Sequence, residues 1–253
     1  MSLFLAKLTL TPLIMYVTSA AGRRWGPGVS GWLTGLPLLA GPVSVFVCIE
    51  QGPDFARQAA GSTLLGMWSS CAFCLAYHAF AHRGWVAASV AAIVAFAAAT
   101  AVLNPVSLPP WAGLMGVACL AWACLKWIPA PDSPAAMNRP PRWDMPVRLA
   151  IAAGFVIVQT AIAGWLGPQL SGLVTPFPIV VILLTAFAHH QLGLPAATRV
   201  LRGFLIGMYA FAAFFWLVAV GMKPLGPALA YPVALAACLV INGLALWGLR
   251  RRL

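Results

Sequence analysis

Long apolar segments alternate with short polar breaks along the whole chain. Nine such segments can be counted, at 3–21, 30–49, 59–80, 85–103, 110–128, 147–166, 169–189, 200–220 and 226–248. A helix of about 20 residues, rising 1.5 Å per residue, crosses the roughly 30 Å apolar core of a bilayer. The pattern therefore predicts an all-α integral membrane protein with nine transmembrane helices.

One stretch of the chain occurs twice. Residues 26–73 align with residues 167–214 at a constant offset of 141 residues and without a gap. The offset pairs identical residues throughout the stretch: Gly26 with Gly167, Pro27 with Pro168, Pro37 with Pro178, Gly52 with Gly193, Gly66 with Gly207, Met67 with Met208, and Phe73 with Phe214. Five predicted spans separate equivalent helices, and five is odd. We therefore expect the two copies to cross the membrane in opposite directions, as inverted repeats.

The repeat divides the chain into three predicted parts. Residues 1–104 form the first repeat with helices 1 to 4, and residues 147–253 form the second repeat with helices 6 to 9. Residues 105–146 join them through helix 5 and a proline-rich cytoplasmic loop. A unit with four spans ends on the side where it began, so the crossing by helix 5 is what inverts the second repeat.

The basic residues predict the orientation. Twelve of the fifteen Lys and Arg residues fall on one side if the N-terminus is outside, and only Lys7, Arg57 and Lys223 fall on the other. Cytoplasmic loops of membrane proteins carry an excess of Lys and Arg. We therefore expect a multi-pass protein of the bacterial cytoplasmic (inner) membrane, with its C-terminus in the cytoplasm.

Composition excludes a soluble fold. Hydrophobic residues make up 62% of the chain and charged residues only 8%, whereas a soluble domain carries about 25% charged residues. A net charge of +11 would favour nucleic acid as the partner of a soluble protein. Here the charges lie in short breaks between apolar segments, so the expected partners are the lipid bilayer and a small-molecule or lipid-like substrate. We expect a monomer or a homodimer.

The residue types that build catalytic or metal centres do not form a recognisable set. The six cysteines lie inside apolar segments or at their ends, and no zinc-binding spacing is present. No nucleophile–base combination or phosphate-binding loop is visible. The sequence therefore predicts no enzyme activity, no metal and no cofactor.

Both copies carry a set of glycine, proline and methionine residues with a common spacing. In the second copy they are Gly172-Leu173, Phe177-Pro178, the run Gly193 to Ala197 with Arg199, and Gly207-Met208-Tyr209; in the first copy they are Gly31, Pro37, Gly52 to Ala56 with Arg57, and Gly66-Met67-Trp68. About 50 residues of each half resemble the GlpM-like family of small bacterial inner-membrane proteins in this respect. The first copy departs from the pattern, with Leu36 in place of Phe and with Glu50 and Asp54. The resemblance implies an inner-membrane protein and no particular activity.

Two equivalent prolines are the first functional candidates. Pro37 and Pro178 each remove a backbone hydrogen bond in the interior of a predicted span, helix 2 and helix 7. Interrupted helices at equivalent positions of inverted halves indicate a transporter binding site, because the freed backbone groups can meet a substrate. The alternative is a packing kink without a ligand.

Two acidic residues are the second candidates. Glu50 and Asp54 are the only acidic residues outside the central loop, and they lie at the predicted outer end of helix 2. A carboxylate at a membrane edge can carry protons or attract a cation. The alternative is a solvated loop in which Asp54 forms a local ion pair with Arg57.

Polar residues in or near the spans are the third candidates. Thr18 and Gln159 are repeat equivalents, so they predict either a shared polar cavity or contacts between helices. Gln191 is the repeat equivalent of Glu50. Arg199 can receive a phosphate or carboxylate group, although its role in orientation already explains it.

His189 and His190 are candidates for proton coupling, because histidine titrates near neutral pH. Adjacent residues point in different directions on a helix, so the two rings make a poor chelate. The alternative is that both histidines lie at the membrane interface without a special role.

These features favour a secondary transporter or flippase-like permease for a small organic or amphipathic solute. The two repeats would give alternating access to a site between them. The competing hypothesis is a non-transporting membrane scaffold or accessory subunit for envelope assembly. A transporter is expected to have a polar cavity containing Gln159 or Glu50, and a scaffold a dry, fully packed interior.

Overall fold

The computed structural model describes residues 2–38, 40–131, 146–147, 149–150, 154, 170 and 173–250. All regular structure within these residues is helical, as predicted. The α-helices are α1 (Ser2–Trp25), α2 (Pro27–Thr34), α3 (Ala40–Gln51), α4 (Pro53–Phe80), α5 (Trp85–Leu103), α6 (Pro110–Trp127), α7 (Ile179–Leu192) and α8 (Leu194–Arg250), with a 3₁₀ turn at Ala81–Arg83.

Three helical stretches in the described part of the chain are long and apolar enough to cross a membrane. They are Pro53–Arg83, Trp85–Leu103 and Leu194–Leu244. Ala40–Gln51 and Ile179–Leu192 are shorter apolar helices. The membrane character of the chain is thus supported, whereas the count of nine spans stays a prediction. Most of predicted helix 6 (147–166) lies outside the described residues.

Glycines with positive φ separate consecutive helices. Gly52 (φ 89°) and Gly193 (φ 81°) each lie between two helices, and they are repeat equivalents. This region of backbone conformation favours glycine because it has no Cβ. Pro53 follows at the first position of α4, where its missing N–H and fixed φ suit a helix start. The Gly-Pro pair therefore ends one helix and starts the next.

The longest helix, α8, folds back on itself. Gly226 interrupts its helical conformation with φ 67° and ψ 167°. The rings of Phe214 and Tyr231, on opposite sides of Gly226, have their centroids 6.4 Å apart. A straight helix would separate these positions by about 25 Å. The break falls where the sequence predicts the boundary between helices 8 and 9.

Helices α4 and α5 form a second hairpin, which turns at Gly84. The Thr100 hydroxyl donates to the Ser69 hydroxyl over 3.0 Å, although the two residues are 31 positions apart. Helix α6 packs against the same helix α4, where the Trp68 indole N–H donates to the Gly113 carbonyl over 3.3 Å. These contacts join predicted helix 5 to the first half.

Glycines allow the short helix α2 to cross α8 at very close range. A methyl group on Gly207 would lie 2.6 Å from the Cα of Gly35, and a methyl group on Gly203 would overlap the Gly28 carbonyl. Small residues of this kind let the backbones of membrane helices approach each other. The crossing therefore joins the first half of the chain to the second.

A matching contact joins the halves at a second place. A methyl group on Gly66 of α4 would lie 2.8 Å from the Cγ of Pro176. Gly66 is the repeat equivalent of Gly207, and Pro176 is the repeat equivalent of Gly35. The two contacts are therefore equivalent under the repeat. Gly66 of the first half takes the place of Gly207, and Pro176 of the second half takes the place of Gly35.

The interior and the exterior of the bundle are both apolar. Helix α7 is central, since residues 180–186 are all buried. Large apolar side chains are exposed on α5, α6 and the second part of α8, among them Val90, Val94, Val102, Trp111, Met115, Trp122, Leu235, Leu239 and Leu244. Exposed apolar surface that extends over several helices is typical of contact with lipid.

Candidate functional site

The first candidate site is a break between α2 and α3. Helix α2 ends at Thr34, α3 begins at Ala40, and Pro37 lies buried between them. The Leu38 N–H donates to the Leu36 carbonyl over 2.8 Å. A hydrogen bond between residues two apart closes a γ-turn around Pro37. The interruption predicted from Pro37 is therefore present, and it divides the predicted helix 2 into two short helices.

The second break, before α7, has the same backbone conformation. Residues 173–174 are helical, Pro178 is buried, and its φ of −84° and ψ of 58° are those of an inverse γ-turn. Three backbone hydrogen bonds, each from an N–H to a carbonyl, recur at the offset of 141. The first break has Leu36 to Leu33 (3.1 Å), Leu38 to Leu36 (2.8 Å) and Gly41 to Pro37 (2.8 Å). The second break has, in the same order, Phe177 to Val174 (2.9 Å), Ile179 to Phe177 (2.9 Å) and Ile182 to Pro178 (2.8 Å). The two breaks are thus the same local structure.

Each break packs against helices of the other half. The break at Pro178 lies beside α4 and α5, since the Ser70 hydroxyl donates to the Pro176 carbonyl over 2.9 Å and the Phe177 ring meets Phe96 edge-on at 5.0 Å. At the other break, a methyl group on Gly41 would lie 3.5 Å from the ring of Phe214 in α8. Both breaks therefore face the junction between the halves.

Glu50 and Asp54 lie away from the breaks. Both are exposed, and Gly52 separates the end of α3 from the start of α4, so the two carboxylates do not share one helix face. Asp54 Oδ1 is 3.7 Å from the Arg57 Nε, which is the local ion pair named above as the alternative. Glu50 is ten residues beyond the start of α3, about 15 Å along the helix. The structure does not bring Glu50 to Pro37.

Thr18 is buried in α1, and its hydroxyl donates to the Ile14 carbonyl over 2.8 Å. A threonine can enter an apolar interior in this way, because its own helix supplies the acceptor. Gln159, its repeat equivalent, lies outside the described residues. The predicted cavity between the two residues therefore stays a prediction.

The two adjacent histidines contact different helices. His189 Nδ1 and the Tyr77 hydroxyl of α4 are hydrogen-bonded at 3.3 Å. The exposed His190 lies against Trp85 at the start of α5, with ring centroids 5.6 Å apart. The divergence expected for neighbouring residues on a helix is present. Gln191 is half-buried near the end of α7.

The start of α8 holds the end of α6. Arg202 Nη1 donates to the carbonyls of Leu125, over 2.8 Å, and Ile128. These carbonyls close the last turn of α6, where helical partners run out. Arg199 Nη2 donates to the Pro131 carbonyl over 3.5 Å. Both arginines are therefore engaged in structural contacts at one end of the bundle.

Tyr77, Ser70 and Thr185 were not singled out by the sequence. Tyr77 of α4 contacts His189, Ser70 of α4 contacts the break before α7, and Thr185 is buried in α7. Tyr77 and Ser70 are seven residues apart on α4, and Thr185 is four residues before His189 on α7. Helical spacing of polar residues was the available signal. It was too weak to single them out, because hydroxyl residues are common in membrane helices.

Among the residues that the structure describes, no group of three or more His, Cys, Asp or Glu side chains could hold a metal ion. Comparison of the chain with protein-family models, with curated proteins and with solved structures gave no match.

Proposed function

We propose that this protein is a secondary transporter or flippase-like permease for a small organic or amphipathic solute. The observation that carries the proposal is the pair of identical turns at Pro37 and Pro178. Both prolines are buried, both turns carry the same hydrogen bonds, and both lie where one half of the chain meets the other. Transport would proceed by alternating access between the two halves.

The same physical argument makes both breaks candidates for substrate binding. Irregular backbone is tolerated at membrane depth only where protein covers it or where it lines a cavity. In transporters built from inverted repeats, such discontinuous helices hold the substrate near the middle of the bilayer. Two equivalent breaks would give a solute polar backbone contacts from both halves.

The proposed architecture has nine spans in two inverted four-helix repeats joined by α6, with the N-terminus outside and the C-terminus in the cytoplasm of a bacterium. The Gly35–Gly207 and Pro176–Gly66 contacts are equivalent under the repeat, and this equivalence supports the inverted repeat. Contacts of Arg202 with the end of α6 support the proposed sidedness, because they bring Lys126 to the same end of the bundle. The resemblance to the GlpM-like family supports only the proposed location in the inner membrane.

A membrane scaffold or accessory subunit for envelope assembly is the second candidate. The observation in its favour is the tight glycine contact between α2 and α8, which leaves no room for a solute at Gly35 and Gly207. A scaffold would keep one conformation, whereas a transporter would alternate between two. The number of conformations therefore separates the candidates without knowledge of the solute.

Spin-label distances in the reconstituted protein test the proposal. One label pair, on Cys replacing Asp54 and Lys223, spans the halves at the proposed outer end; a second pair, on Cys replacing His82 and Leu194, spans them at the inner end. All four side chains are exposed, and the exposed Cys119 is replaced by Ser to prevent labelling there. We expect two distances at each end. A single narrow distance at both ends would overturn the transport proposal and favour the scaffold.

The proline substitution Pro178→Ala links the distances to the break. It should shift the two populations in opposite directions at the two ends, because it restores an N–H to the interrupted helix. Pro42→Ala is the matched control, since Pro42 lies within α3 and outside the γ-turn. A label pair within the first half, at Asp54 and Asn104, should give one distance in every variant.

A further inference from the structure

Two contacts fix how α4 lies beside the second break and α7. The Ser70 hydroxyl donates to the Pro176 carbonyl over 2.9 Å, and the Tyr77 hydroxyl is bonded to His189 over 3.3 Å. Thr185 lies four residues before His189, on the same face of α7. Its side chain therefore lies on the side of α7 that carries His189.

The Thr185 hydroxyl is completely buried, and it has no hydrogen-bond partner within the described part of the chain. A threonine in a helix normally satisfies its hydroxyl with the carbonyl four residues earlier, as Thr18, Thr63 and Thr198 do here. Thr185 does not. A buried hydroxyl without a partner lowers stability, so its presence calls for a physical reason.

The equivalent position in the first repeat is satisfied. Ser44 corresponds to Thr185, and its hydroxyl is 3.0 Å from the Tyr231 hydroxyl of α8. The residue equivalent to Tyr231 is Val90, which cannot form such a bond. The two halves therefore differ at this pair of equivalent positions: the Ser44 hydroxyl has a partner and the Thr185 hydroxyl has none within the described residues.

We infer that the face of α7 carrying Thr185 and His189, together with Tyr77 of α4, binds the polar group of the transported solute. The inference rests on the proposed transport function and names its site. Two hydroxyls and an imidazole offer donors and acceptors without a permanent charge. The neighbouring ring of Phe73, 6.5 Å from Tyr77, is an apolar wall. This chemistry suits an uncharged carbonyl or hydroxyl group on an otherwise apolar molecule.

Cysteine accessibility tests whether the site opens to water. Thr185→Cys and the control Thr63→Cys are each made in the full chain, reconstituted in lipid nanodiscs, and treated with a membrane-impermeant methanethiosulfonate reagent. Thr63 is as buried as Thr185, and its hydroxyl is bonded to the Ala59 carbonyl. Peptide mass spectrometry locates the adduct, so the native cysteines do not interfere. We expect Cys at 185 to react at least about tenfold faster than Cys at 63, because a closed core position reacts only through rare local opening. Equal rates at the two positions would overturn the inference.

A stability measurement does not depend on labelling. Thr185→Val keeps the shape of the side chain and removes the unpaired hydroxyl, so the melting temperature should rise. Ser44→Ala removes a satisfied hydroxyl, so the melting temperature should fall. A lower melting temperature for Thr185→Val would show that the hydroxyl has a protein partner, and would overturn the inference.

The two proposals can fail separately. If Cys at 185 is unreactive while the spin labels report two distances at each end, the transport proposal stands and the site lies elsewhere. If Cys at 185 reacts while the labels report one distance, the proposed binding site stands and alternating access does not.

Discussion

Gly207 lies so close to Gly35 that a methyl group on Gly207 would be 2.6 Å from the Gly35 Cα. No ordinary side-chain contact is that short, and the atom that blocks the methyl group belongs to a backbone. The crossing of α2 and α8 therefore depends on glycine at this place. It is also one of the two places where the halves of the chain meet most closely.

Gly207→Ala should lower stability by about 1–3 kcal/mol, the usual cost of overpacking a tight contact. The melting temperature of the purified protein in detergent measures this loss. Gly61→Ala is the matched control, because Gly61 also lies inside a helix but nothing approaches its missing side chain within 4 Å. Equal melting temperatures for the two variants would contradict the close crossing.

Gly226→Ala should cost about 1–3 kcal/mol for a different reason. Nothing lies within 4 Å of the added methyl group, but the combination of φ 67° and ψ 167° is essentially restricted to glycine. Gly243→Ala, in the same long helix and equally unobstructed, should be neutral or stabilising. A neutral Gly226→Ala would mean that α8 does not fold back at this residue.

Arg202→Gln should destabilise the protein by about 1.5–3 kcal/mol, the usual worth of a hydrogen bond to a charged group. The substitution removes the charged donor from the carbonyls of Leu125 and Ile128. Arg57→Gln, which breaks only the 3.7 Å pair between the half-buried Arg57 and the exposed Asp54, should change stability by less than about 1 kcal/mol. Thermal unfolding followed by tryptophan fluorescence compares the two. The same loss in both variants would show that Arg202 does not hold α6.

The orientation can be checked in intact bacterial cells. Cysteines replacing Asp54 and Lys223 should react with an impermeant maleimide added outside, and a cysteine replacing His82 should react only after the cells are opened. All three side chains are exposed, so accessibility within the protein is not limiting. Reaction of the His82 position in intact cells would invalidate the predicted sidedness.

Glycine and proline lie at several of the observed helix boundaries. The Gly52-Pro53 pair stands between the end of α3 and the start of α4, where its local backbone requirements are met. Helices α5 and α6 also match the predicted 85–103 and 110–128 to within one residue. The predicted start of helix 3 at residue 59 was late, because Pro53 begins α4 while the following residues are still polar.

The contacts between distant residues were not predictable in the same way. Tyr77 of α4 meets His189 of α7 because the fold brings the two side chains together, and nothing local to either residue encodes that. Glu50 and Asp54 drew attention because acidic residues are scarce in this chain. Their exposure depends on the corner at Gly52, which directs both away from the interior.

The Gly35–Gly207 crossing also has a consequence for synthesis. Position 207 is translated more than 170 residues after position 35, an interval of about 10–30 s at bacterial rates of roughly 5–20 residues per second. During that time the surface of α2 around Gly35 has no contact with α8. Lipid or the insertion machinery must cover this surface until α8 is inserted, so the first half completes its packing only after most of the chain has entered the membrane.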